Sequence, residues 1–315
     1  MSQVKIGGQA VIEGVMMKYK NQYAVAVRKP DKEIDVKVNT CSFVRDKIFL
    51  FNLPIIRGLF VFIESLVVGM KTLMYSASFF DEEDENNKDS KSDAKSDSKT
   101  DGKSDDKSDS LFMAGTLAFS LIIAIGLFML LPAWISSLFE NFINNHFALG
   151  LIEGVVRLLI FFIYIFFITR MEDIKRTFMY HGAEHKSINC IEAGDELTVE
   201  NVMKHSRFHK RCGTSFLFVV MVVSILVFMC ITAKKLWLRL LLRVLLVPVV
   251  AGISYEFIRF AGNSESFIAN ILSKPGLWIQ QMTTFEPTPD MVEVAIKSVE
   301  AVFDWKEYLA QSKDK

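Results

Sequence analysis

The chain has no net charge: Lys plus Arg and Asp plus Glu number 36 each. It also has no Lys/Arg-rich arm, and together these set nucleic acid aside as a partner. Cysteine is scarce. The four cysteines (Cys41, Cys190, Cys212 and Cys230) have no framework spacing, which excludes a disulfide-built scaffold and suits a reducing compartment. The first residues, "MSQVKIGGQAVIEGVMM", contain no apolar core of signal-peptide length. The chain is therefore expected to insert through its own spans, without a cleaved export signal. Charge disappears entirely from Leu111 to Phe139.

Apolar residues are plentiful. They make up 51% of the 315 residues, and 27 are Phe, which favours a membrane protein over a soluble enzyme and allows one or two domains. The expected class is a mainly α membrane protein: a helical bundle of about four spans, one amphipathic or re-entrant helix, a small N-terminal β element and a cytoplasmic helical insert.

Residues 1–47 read as the β element. "YAVAVRKPDKEIDVKV" alternates on both sides of a Pro-Asp turn, a hairpin signature. "GGQAVIEGVMM" ahead of it reads as a strand with a bulge, Glu13 solvated and Gly7–Gly8 allowing close backbone approach. Residues 48–80 have the length of a span, but Arg57, Glu64 and Lys71 interrupt them at heptad spacing. A helix lying against the membrane or against other helices is favoured there. Residues 81–110 form a Lys-Ser-Asp linker, "KSDAKSDSKTDGKSDDKSD", with nothing apolar to bury; disorder is expected.

Two spans are expected in 111–169 and two more in 214–258. The loop 136–148 has no Lys or Arg, whereas 170–213 has eight. That asymmetry puts 170–213 and both termini in the cytoplasm. Lys234, Lys235, Arg239 and Arg243 fit less well and are expected to snorkel or to mark a re-entrant hairpin. Within the spans, Glu153/Arg157 and Glu256/Arg259 stand one turn apart, as interhelical ion pairs or functional groups. In 259–315, "KPGLWIQQMTTFEP" reads as a loop. "TPDMVEVAIKSVEAVF" reads as an amphipathic helix capped at Thr288, with Val292, Ile296, Val299 and Phe303 packing as core.

The insert 170–213 carries the candidate chemistry. His181, Glu184 and His185 in "HGAEH" fall on one helical face, the inverted form of the zinc-protease pattern, in which two imidazoles bind the ion and the carboxylate acts as base. A further ligand is sought in His209, Cys212, Glu192 or Asp195; His205 pairs with His209 at the same spacing. The structural alternative is a loop whose histidines only make hydrogen bonds.

Several stretches together resemble the YqhQ-like family of bacterial membrane proteins: "GGQAVIEGVMM", "AVAVRKPD", "ESLVVGMKTL", "YHGAEHKSI", "SRFHKRCGTSF", "PVVAGISYE" and "PGLWIQQMTT…MVEVAI". The resemblance implies an uncharacterised protein, described as a predicted metal-dependent enzyme. The recurrent polar positions map to Glu13, His181, Glu184, His185, Lys186, His209, Arg211, Cys212, Glu64, Glu153 and Arg157. Lys18-Tyr19-Lys20 departs from the family's Arg-Gly-Pro turn, and His205 is not a family position, which demotes it as a ligand.

The leading expectation is a metal-dependent hydrolase in the bacterial cell membrane. His181, His185, His209 and Cys212 would hold a divalent metal, zinc by preference, and Glu184 would be catalytic. The bilayer is its surrounding partner, and the substrate a lipid, a prenyl carrier or a membrane peptide. The alternatives are a non-catalytic assembly or insertion factor with a structural metal, and a transporter using Glu64, Glu153 and Arg157. Transport is disfavoured by the lack of an internal repeat.

Overall fold

The computed structural model describes residues 6–41, 53–89, 115–116, 118–231, 236–263 and 266–313. Most of the Lys-Ser-Asp linker, Lys234 and Lys235 lie outside them. The chain divides into two units, 1–84 with 165–223 and 247–315, and 85–164 with 224–246.

The first unit is built around a four-stranded antiparallel meander: β1 (Ile6–Val11), β2 (Gly14–Tyr19), β3 (Gln22–Arg28) and β4 (Ile34–Thr40), in that order. The expected hairpin around Pro30-Asp31 is β3–β4. The expected bulged strand is instead a second hairpin, because Val11 pairs with Gly14 and Ile12–Glu13 turn the chain. Glu13 takes φ 49°, a conformation usually left to Gly or Asn, so the turn carries no Asn-Gly or Asp-Gly signature. Its carboxylate is not simply solvated: Arg176 Nε and Nη2 donate to it at 2.5 and 2.6 Å, and Tyr180 Oη lies 3.3 Å away.

β2 and β3 are apolar almost continuously because the sheet is covered on both faces. On one face Val15, Met17, Ala24 and Ala26 pack against α5 (Glu172–Ala193) and α10 (Pro289–Glu300). On the other, Met16, Val25 and Val27 pack with Val68, Tyr75 and Phe79 of α1 (Ile56–Asp89). Each fully buried Val or Met there contributes roughly 1.5–3 kcal/mol. α10 has Thr288 as its N-cap residue and Pro289 in its first turn, and Val292, Ile296, Val299 and Phe303 are all buried.

Four helical stretches are long and apolar enough to cross a membrane: Ile56–Phe80, Ala118–Ser137, His146–Ile168 and Trp237–Ala261. The 56–80 stretch, whose interrupting charges favour a helix lying against the membrane or against other helices, has the length and composition of a span, and partners in its own unit absorb two of its charges: Arg57 meets Glu256 at 2.6 Å and Glu64 meets Lys18 at 2.5 Å. Glu256 thus faces Arg57, with Arg259 only at 3.8 Å. The expected third span is α7 (Gly213–Met229), an apolar helix of 17 residues. The supposed loop after 259 is helical as α9 (Phe267–Thr283), with Pro275 inside it. Gly276 lets that helix approach Ser215 closely, since a Cβ there would lie 2.6 Å from the Ser215 hydroxyl.

The second unit contains α2 (118–125), a π turn (Gly126–Leu130), α3 (Leu131–Ser137) and parts of α4 (His146–Ile168) and α8 (Leu236–Asn263). Arg243 does not snorkel. It is buried, with Nη2 donating to Glu153 at 2.7 Å, while Glu153 also receives Arg157 at 2.9 Å.

Candidate metal centre

The 3.6-residue period of α5 brings the opening histidines together: the rings of His181 and His185 lie 4.4 Å apart, centre to centre. Glu172 and Asp173 favour the positive N-terminal end of α5, and Gly194 at φ 87° ends it. The side chains of Glu184, His185 and Lys186 are all buried, so the motif faces the unit's interior. Gly182 makes this possible: a Cβ there would lie 2.1 Å from the Phe285 carbonyl.

The segment after α6 (Val199–Lys204) returns to α5 and is pinned through its backbone. Lys186 Nζ donates to the carbonyls of Met203 and His205 at 3.0 and 2.8 Å. Asn189 donates to those of Ser206 and Phe208 at 2.7 and 3.0 Å. Gln280 brackets His209, accepting from its N–H at 2.9 Å and donating to its carbonyl at 2.8 Å. This path delivers Cys212 to the histidines, with Sγ 3.3 Å from His181 Nε2 and held by the N–H of Thr214 at 3.4 Å.

The imidazoles are oriented for the same point. His181 Nδ1 lies 2.9 Å from the Thr283 carbonyl, and His185 Nδ1 lies 2.6 Å from that of Arg207. A carbonyl only accepts, so each Nδ1 carries the hydrogen and each Nε2 presents its lone pair. One donor atom from each of His181, His185 and Cys212 lies within 4.8 Å of the others. Tetrahedral zinc with bonds of about 2.0–2.3 Å separates N and S ligands by about 3.5 Å, so the three residues fit such an ion, with the backbone acceptors behind the rings that metal-binding histidines usually have.

Glu184 sits beside this group, Oε2 lying 3.8 Å from His181 Nε2 and 3.9 Å from His185 Nε2. Burial pushes its carboxyl up from the ordinary range, opposed in part by His181, His209 and the nearby Gly8 backbone. Burial likewise pushes His185 down, favouring the neutral imidazole that a metal requires. A cavity of about 490 Å³ opens on the group, lined by Ile6, Gly8, His181, Glu184, His185 and Cys212 among others.

The other candidates lie elsewhere. His209, expected as a ligand, has its Nε2 3.3 Å from Glu192 and its ring centre 5.8 Å from that of His185. It lines the cavity but stands outside the three-donor group. Glu192 is engaged by His209 and Arg211. Asp195 pairs with His205 at 2.9 Å on the surface. No ligand-type pattern in the sequence marks Gln280, Thr283 or Asn189, although "WIQQMTT" lies within a stretch that carries the family resemblance.

The sequence matches, over residues 53–305, the family described as "Protein of unknown function (DUF1385)". It is 35% identical over 296 residues to "Uncharacterized protein YqhQ" of Bacillus subtilis (strain 168), covering 93% of this chain and 90% of that protein. No solved structure matches it. The chain belongs to this YqhQ-like family of unknown function.

Proposed function

With membership of an uncharacterised family as the premise, we propose that this chain is a membrane-embedded, metal-dependent hydrolase. The observation that carries the proposal is the convergence of two Nε2 lone pairs and one thiol beside a buried carboxyl. His181, His185 and Cys212 hold the ion, zinc by preference, and leave a fourth position open. When bound, the ion supplies Lewis-acid polarisation and lowers the pKa of water.

The chain's own groups do the rest. The Thr283 and Arg207 carbonyls fix the two rings, and burial of His185 and Glu184 excludes bulk water. Glu184 Oε2 takes a proton from the attacking water and returns it to the leaving group as the substrate bond breaks. Burial raises its proton affinity above that of an ordinary carboxylate, which favours its taking that proton.

The reading includes a multi-pass protein of the bacterial cell membrane, with both termini and the site on the cytoplasmic side. The support is the contrast between zero and eight basic residues in 136–148 and 170–213. A cysteine placed at Asn144 is expected to react with an impermeant thiol reagent on intact cells, and one at Lys204 is not. Labelling at Lys204 from outside overturns the orientation.

The test of the metal is its content by mass spectrometry in detergent-purified protein. One zinc per chain is expected, with near-complete loss in His185→Ala. A metal-free wild type, or zinc unchanged in that variant, overturns the proposal.

A further inference from the structure

We infer that the outer edge of β1, unpaired among the described residues, takes up an extended polypeptide as an added strand, so that the substrate of the proposed site is a peptide segment. The inference relies on the hydrolase reading for what becomes of the bound chain, and not for the binding itself.

The register supplies the reason. β1 ends the sheet order, and the two-residue turn Ile12–Glu13 makes Val11–Gly14 the closing pair of the hairpin. A closing pair of this kind exchanges both N–H···O bonds, and such pairs recur at every second residue. Val11, Gln9 and Gly7 therefore direct their backbone groups to β2. Ile6, Gly8 and Ala10 direct theirs away from β2, and Gly8 lies against the Glu184 side chain.

This same run, Ile6 to Ala10, lines the cavity that holds the three-donor group. A second cavity of about 480 Å³ shares Ile6, Gly7, Gly8, Gln9 and Ser65 with the first, so open space follows the strand beyond the site. Among the described residues, Gly7 presents no side chain to an approaching backbone, while Glu184 stands beside Gly8. Gly7 and Gly8 are exposed, and a Cβ at Gly7 would meet nothing within 4 Å.

The occupant follows from the chemistry of the edge. Outward amides and carbonyls recurring about every 6.6 Å match the donors and acceptors of another extended backbone. An acyl chain laid there would bury them unpaired, which disfavours it. Passing along β1, the peptide would run beside His181, Glu184 and His185.

The experiment immobilises the full-length protein in detergent. It offers a random-sequence decapeptide mixture, the same mixture methylated at every backbone nitrogen, and short-chain phosphatidylglycerol, and measures retention by mass spectrometry. The unmethylated peptides are expected to be retained about tenfold better than the methylated ones, the equivalent of one or two main-chain hydrogen bonds. Ala10→Pro removes one outward N–H and leaves every bond to β2, while Gly7→Phe fills the open space. Either is expected to lower retention to the methylated level without shifting thermal unfolding.

Equal retention of both peptide mixtures, retention of phosphatidylglycerol in place of peptide, or unchanged retention in both variants overturns the inference. Peptide discrimination by a protein without zinc would contradict the hydrolase and leave the strand site standing. Zinc without peptide discrimination would do the reverse.

Discussion

Two clusters of buried polar side chains occupy the two units, and they are built on opposite principles. In the second unit, Glu153 receives Arg157 at 2.9 Å and Arg243 at 2.7 Å, and Arg157 Nε donates to the Phe128 carbonyl at 3.0 Å. Arg243 Nη1 also lies 2.7 Å from Glu153 Oε1, though at an angle too poor for a hydrogen bond. The attraction there is Coulombic. Both guanidiniums lie over the Phe228 ring, at 5.2 and 5.4 Å, and the adjoining cavities are only about 30 and 10 Å³.

In the first unit, His181 and His185 use Nδ1 for structure and leave Nε2 beside the Cys212 thiol and a cavity of about 490 Å³. Opposite charges turned on each other hold helices together. Lone pairs turned on a shared point, with space beside them, are arranged for a ligand. The contrast supports the proposed chemistry in the first unit; Glu153 and Arg157, which the transporter alternative uses together with Glu64, form a closed ion cluster with Arg243.

The largest expected effect tests the packing side. Glu153→Ala leaves two buried guanidiniums without their carboxylate and is expected to destabilise the protein by about 3–5 kcal/mol. Zinc per folded chain should stay at the wild-type level. Thermal unfolding with metal analysis on the folded fraction reads both, and zinc lost without loss of stability would break the distinction.

A smaller effect sharpens the other side. Gln280→Ala unties the His209 backbone and loosens the path to Cys212. It is expected to cost about 1–3 kcal/mol of stability and to weaken zinc about 10–100-fold, as loss of supporting hydrogen bonds typically does. Competition with a chromophoric chelator measures this. Unchanged affinity would mean that the position of Cys212 does not depend on Gln280.

Much of the first cluster was legible because it is local. His181, Glu184 and His185 share one helical face, and the 3.6-residue period is enough to assemble them. The choice between His209 and Cys212 was not legible. It depends on the course of residues 203–212, set by Lys186, Asn189 and Gln280 through backbone carbonyls that no side-chain pattern announces.

The same holds for α1. Its heptad of charges could be seen, but their partners Lys18 and Glu256 lie 46 and 199 residues away in sequence. The β1–β2 hairpin was hidden because Ile12–Glu13 is an unusual turn pair, workable only with Glu13 at positive φ and tied to Arg176. Alternation around Pro30-Asp31, by contrast, gave β3–β4 directly, and the apolar spacing after Thr288 gave α10.

The smallest expected effect belongs to neither cluster. Deleting residues 91–109 removes Lys, Ser, Thr, Asp, Gly and a single Ala with nothing apolar to seed a core, and should leave zinc content and unfolding temperature unchanged. Loss of either would tie the repeat to one of the units.

The central claim is that the three-donor group holds an ion with a position left open for chemistry, and that Glu184 moves the proton. X-ray absorption at the zinc edge of the purified protein tests the donor set most directly. The account predicts one sulfur at about 2.3 Å and three lighter nitrogen or oxygen neighbours at about 2.0–2.1 Å. The Glu184→Gln variant should keep that spectrum while losing turnover by about 10²–10⁴-fold. A shell without sulfur, or a spectrum changed by Glu184→Gln as much as by His185→Ala, would contradict it.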